Sequence, residues 1–211
     1  MTALPERQNS TAAAIFQQYE KTAEAGQRPH LGASELGHEC ERYLWLSFRW
    51  AKQPEFDGRM LRLFESGQLA EPRLIANLRA IGVEVSDRDE KGQQWRFSAV
   101  GGHVGGSMDG AALGLPEAPK TWHVLEFKTA NAKTSAALVK SGVQAAKPEN
   151  WAQSQIEMRL AQLDRTLYLS VNKDTDELYA ERIRADTAAG AALEGKAERI
   201  IYAAEPLPRI S

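Results

Sequence analysis

The strongest constraint on this chain is a change of apolar period at Gly82. Up to Ile81 the apolar residues recur at helical spacing, whereas from Val83 they fall in short runs separated by turn residues. Helical stripes and sheet faces must bury one another, so the expected class is α+β, with helices packed on a central mixed sheet. In the helical third, Ser10 or Thr11 is predicted to cap a helix running to about Ala25, with Ala14, Ile15 and Tyr19 on one face. A turn around Arg28-Pro29-His30 follows. Ser34 is placed to cap a second helix, ELGHECERYLWLSFRW, in which Leu36, Cys40, Tyr43, Leu44 and Phe48 share a stripe. The third helix is expected from Gly58 to Ile81, with Leu61, Phe64, Ala70, Leu74 and Leu78 apolar and Gly82 ending it.

Beyond Gly82 the segments VEVSD, QWRFSAV, HVGGSMDGAAL and TWHVLEFKT read as an antiparallel meander. Helical periodicity returns over Ala136 to Val143 and Pro148 to Leu163, Pro148 suiting a first turn. RTLYLSVNK and ELYAERI read as a strand pair about Asp174-Thr175-Asp176, followed by an alanine-rich closing helix. With 211 residues and no repeat or long linker, a single domain is expected, loose at residues 1–9 and 205–211.

Several function classes drop out. Cys40 is the single cysteine, which rules out an intrachain disulfide or a four-cysteine metal or iron–sulfur site and suits a reducing compartment, the cytoplasm by default. The N-terminal stretch is broken by charges before a signal sequence or membrane span could form. His30, His38, His103 and His123 have no zinc-ligand spacing, and no phosphate-binding loop or dinucleotide fingerprint occurs. A formal charge of -2 does not by itself announce a nucleic-acid binder. It is compatible with one, provided that carboxylates hold divalent cations and the basic residues are confined to one groove.

Chemistry concentrates at Glu126-Phe127-Lys128. In an extended strand, residues two apart face the same way, so Glu126 and Lys128 share a face while Phe127 points to the opposite layer. Asp109, at the end of the glycine-rich GGSMDG, is close enough in sequence for its strand to be the hairpin neighbour. Paired carboxylates are the hard oxygen ligands of magnesium or manganese, and a neighbouring lysine suits the activation of water, which together imply phosphodiester hydrolysis. An E-x-K triplet occurs by chance about once in a chain of this length. A second, Glu194-Gly195-Lys196, falls in a helical context where positions two apart diverge. On spacing alone, a salt-bridge ladder on an amphipathic strand accounts for Glu126 and Lys128 equally well.

GGSMDG, LEFKT and NWAQSQIEMRL, in that order, resemble the Asp, E-x-K and glutamine-helix motifs of the RecB-like and phage (lambda-type) exonuclease branch of the PD-(D/E)xK nuclease superfamily. Upstream, LGASELGHECERYLW is similar to the branch's serine–cysteine–arginine helix, and LFESGQLAEPRLIANLRAIGV to its G-x-x-x-E helix. The resemblance implies a magnesium-dependent DNA exonuclease with a restriction-endonuclease-like core, acting 5′ to 3′ on linear duplex DNA in recombination or repair, with manganese able to substitute. Asp109 and Glu126 would bind the metal with the Phe127 carbonyl, Lys128 would serve the attacking water, and Glu71 and Gln153 would stand near the metal. Gly67, on the Glu71 face, would let that helix approach the active strands. Ser34, at a helix start, and Arg42, about two turns on, would hold the terminal 5′-phosphate of a DNA end. The same resemblance implies DNA as partner, a single-strand annealing or recombination protein beside it, and a homo-oligomer. An endonuclease of the same fold and a catalytically silent DNA-binding or assembly protein are the rival readings. One departure stands out: Glu157 occupies the position where the branch usually has tyrosine.

Overall fold

The computed structural model describes residues 10–23, 29–51 and 55–210. The helices α1 (Ser10–Thr22), α2 (Glu41–Phe48) and α3 (Gly58–Ala80) precede a mixed region of strands and two further helices, and α6 (Thr187–Tyr202) closes the chain. The expected continuation of the first helix to Ala25, and the loose segment 1–9, lie outside the described residues.

The second predicted helix is corrected. Residues Ala33–Glu35 form one turn of 3-10 helix after the short strand β1 (Leu31–Gly32), and α2 starts only at Glu41. Its cap is Cys40, whose sulfur accepts the Tyr43 N–H at 3.4 Å, so Ser34 caps nothing. The break lies at Gly37, where an added Cβ would sit 2.7 Å from the Glu149 Cα. That contact holds the 3-10 turn against the start of α5 (Pro148–Ala161), a close approach that continuing a helix from Ser34 would not allow.

The meander is corrected too. HVGGSMDGAAL is not one strand but two, β4 (Val104–Ser107) and β5 (Gly110–Leu113), and they belong to different sheets. The chain turns at Asp109-Gly110, where Gly110 has φ +150° and an added Cβ would lie 2.9 Å from the Ser86 carbonyl oxygen. A small sheet runs β1-β4-β3, with β3 at Arg96–Ala99. The large sheet runs β2-β5-β6-β7-β8, from β2 (Glu84–Ser86) through β6 (His123–Ala130) and β7 (Arg165–Asn172) to β8 (Leu178–Arg184). β6 and β7 are parallel and the other pairs in the large sheet antiparallel, so the sheet is mixed, as expected.

Helices cover both faces of the large sheet. Leu125, Phe127, Leu167 and Leu169 pack with Leu74 and Leu78 of α3. On the other face, Val124, Tyr168 and Ile183 meet Leu138 and Val143 of α4 (Ala132–Ala146) and Met158 of α5. α4 begins earlier than its apolar pattern suggested because the Asn131 side chain caps it, accepting the Thr134 N–H at 2.9 Å. A third cluster joins β1, α2, α5 and α6 through Leu31, Leu44, Ile156 and Ile200. The C-terminal segment expected to be loose is held at Leu207, which packs on this cluster and whose carbonyl accepts the Arg42 guanidinium at 3.1 Å. Among the described residues no helix is long and apolar enough to cross a membrane.

Candidate active site

Period-two alternation along β6 puts Phe127 on the α3 side and turns Glu126 and Lys128 toward α5. The turn that separates β4 from β5 delivers Asp109 to the same place, and its Oδ2 accepts the Phe127 N–H at 2.6 Å. From α5, Gln153 donates through Nε2 to Glu126 Oε2 at 3.2 Å and to Glu157 Oε1 at 2.8 Å. Lys128 Nζ makes an ion pair with Glu126 Oε1. Glu71 of α3 closes the group: it lines, with Asp109, Lys128, Gln153 and Glu157, one cavity of about 1080 Å³. Glu126 itself is only 1% exposed and lies behind these residues.

So many carboxylates in a partly dry space raise one another's proton affinity. Burial, then the charges of Glu126 and Glu71, pushes Asp109 up to about 7 against the opposing pull of the Phe127 N–H. Burial and then Glu126 hold Glu157 well above the carboxylate range. Burial raises Glu71 as well, with Glu126 adding to it and Lys128 opposing. For Lys128, burial works against the charge, but Glu126, Asp109 and Glu157 outweigh it and raise its pKa. A divalent cation would relieve this repulsion.

The donor set fits magnesium or manganese. Asp109 and Glu126 offer hard oxygens, and Glu157 Oε2 is buried without a hydrogen-bond partner. Among the described residues no three His, Cys, Asp or Glu side chains form a group that could hold a metal ion by themselves, so an ion here would rest on the Asp109 and Glu126 carboxylates and its own waters. Magnesium usually binds one or two carboxylates and keeps its waters.

Of the residues expected from sequence, Asp109, Glu126, Lys128, Glu71 and Gln153 come together here, with Phe127 contributing its main chain. Ser34 lines the same cavity, but Arg42 does not, being directed to Leu207 in the C-terminal segment. The two are therefore not brought together: the continuous helix that would have aligned them is interrupted between Leu36 and Cys40. Gly67 is not needed for close approach, since a Cβ there would meet only Thr129 Oγ1, at 3.9 Å. The departure at Glu157 places a further carboxylate in the group, and its spacing from Gln153 along one helix face was the available signal. Arg79, Arg88 and Arg96 also line the cavity and carry no comparable signal in sequence.

No family model matches the chain, and no curated protein matches it. Solved structures do. An alkaline exonuclease (LHK-Exo) from Laribacter hongkongensis is similar with a TM-score of 0.60 and 18% identity over 88% of this chain and 90% of that one. LHK-Exo in complex with dAMP gives a TM-score of 0.59 and 19% identity, covering 89% and 90%. SSO0001 gives 0.53 and 14%, covering 92% of this chain and 86% of that chain. The fold is therefore that of the alkaline exonuclease, as the resemblance to PD-(D/E)xK nucleases implied.

Proposed function

We propose that this chain is a magnesium-dependent deoxyribonuclease, an exonuclease that hydrolyses phosphodiester bonds in linear duplex DNA. The observation that carries the reading is the convergence of Asp109, Glu126, Lys128 and Gln153 at one end of a large open cavity, in a fold shared with an alkaline exonuclease. Asp109 and Glu126 would hold magnesium or manganese, with help from the Phe127 carbonyl. Bound there, the ion would supply charge neutralisation at the phosphoryl group and a more acidic water.

The remaining work falls to the chain's own groups. Lys128, with its proton affinity raised, keeps its ammonium at neutral pH and acts as a donor that orients water or phosphate. Gln153 fixes the Glu126 carboxylate through Nε2. The Phe127 N–H fixes Asp109 and leaves Oδ1 without a protein hydrogen bond among the described residues. Glu71 faces this end of the cavity from α3 and adds a carboxylate to it.

Digestion of end-labelled linear and circular duplexes tests the reading. Loss of label from linear DNA with magnesium, none with EDTA and intact circles are expected, and the labelled strand reports whether polarity is 5′ to 3′, as the resemblance implies. Cutting of circles would establish the endonuclease reading instead, and no cutting of any duplex with either metal would overturn both.

A further inference from the structure

The cavity lining carries groups of both signs, and the proposed chemistry uses the carboxylates. The carboxylate end holds Glu71, Asp109 and Glu157 with Lys128. The other wall is built from the C-terminal part of α3 and the connection from β2 to β3, and it presents Arg79, Arg88 and Arg96 beside Asp87, with Glu71 within electrostatic reach of Arg88. Asp87 is largely committed: Oδ1 accepts Arg79 Nη2 at 2.6 Å, and that nitrogen also donates to the Val85 carbonyl at 2.9 Å. Its other oxygen reaches only Arg88 Nε, at 3.9 Å, so the terminal nitrogens of Arg88 are uncommitted. Arg96 makes no hydrogen bond or ion pair with the described residues and is exposed. Its register partner across β3–β4 is Ser107, two residues before Asp109, which ties this wall to the carboxylate end.

We infer that Arg88 and Arg96 form a docking track for the phosphodiester backbone of the nucleic acid, beside the phosphate that is cut. The inference rests on the nuclease reading and adds to it the groups that hold the strand. A polyanion entering the cavity is repelled by the carboxylate end, so without a divalent cation its binding depends on the arginine wall. Exposed guanidinium forks whose terminal donors lack protein partners match phosphate oxygens. Arg79 is held by Asp87 and Val85 and frames the track.

The test is anisotropy of a fluorescent oligonucleotide duplex titrated with the full chain in EDTA, where no cutting occurs, between 50 and 200 mM salt. On duplex DNA each phosphate contact contributes roughly 0.9 to the slope of log affinity against log salt, so Arg88→Gln/Arg96→Gln should flatten that slope by about 1.8. It should also weaken binding at least tenfold at the lower salt. Arg88→Lys/Arg96→Lys, which keeps the charge, should retain most of the slope. Arg184→Gln, a charge change of the same size as either single substitution on the exposed end of β8, should leave slope and affinity unchanged. An unaltered slope in the glutamine double variant with an unchanged melting temperature would overturn the track, as would an equal loss in Arg96→Gln and Arg184→Gln. If wild type cuts DNA with magnesium while the double variant binds as wild type does, only the track fails. If wild type never cuts, the nuclease reading fails whatever the arginines do.

Discussion

Lys128 has two duties at the residue scale. It faces the cavity, and it compensates Glu126, whose carboxylate is buried and whose Oε1 has no other partner. Asp109→Ala and Glu126→Ala should therefore abolish cleavage while the metal-free protein stays folded. Lys128→Ala should abolish cleavage and also destabilise the fold, by about 1 to 3 kcal/mol, the cost of leaving a buried polar group unsatisfied. Adding Glu126→Gln to Lys128→Ala should recover most of that stability in urea melts without recovering activity. Additive effects of the two substitutions would mean that the pair does not interact as the geometry indicates.

At the scale of elements, the site depends on where α5 lies, because α5 carries both Gln153 and Glu157. Its first turn is set by the contact of Gly37 with the Glu149 backbone, where an added Cβ would meet the Glu149 Cα at 2.7 Å. Backbone on both sides cannot yield as a side-chain tip can. Gly37→Ala should cost about 1 to 3 kcal/mol, in the range for overpacking, and should lower cleavage by displacing α5. Gly67→Ala on α3 is the contrast: its Cβ has room, and glycine in a helix interior is about 0.5 to 1 kcal/mol worse than alanine, so this variant should melt higher. Thermal melts of both variants, read beside their rates, check the assignment. A Gly37→Ala protein as stable and active as wild type would remove the contact from the argument.

Over the whole molecule, the carboxylate end sets how stability depends on pH and metal. Asp109 has a folded pKa raised to about 7 from an ordinary 3.8. Its contribution is thus fully present below about 4, and it is lost as pH rises through 7, where the folded state must hold a charge that the unfolded chain solvates better. In EDTA, the stability of wild type relative to Asp109→Asn should therefore fall between pH 4 and 7. Magnesium or manganese should raise the wild-type melting temperature at neutral pH by binding the native state, and Asp109→Asn should blunt that rise. A pH-independent difference between the two proteins, with identical responses to manganese, would take Asp109 out of the site.

What was legible in the sequence is what local geometry controls. Alternation along β6 separates Glu126 and Lys128 from Phe127 whatever surrounds the strand, and helical period gave α3, α5 and the change of layer at Gly82. The family resemblance added Glu71 and Gln153 to that set. Contacts between distant segments decided the rest, and no local period encodes them. The approach of Gly37 to α5 broke the helix that would have aligned Ser34 with Arg42. The turn at Gly110 moved one half of an apparently continuous strand into another sheet. Glu126 is buried behind its neighbours, and the arginines of α3 and of the connection from β2 to β3 line one cavity with the carboxylates, only because these elements pack as they do. Charge carries no periodicity of its own, so its placement around a cavity follows from tertiary packing alone.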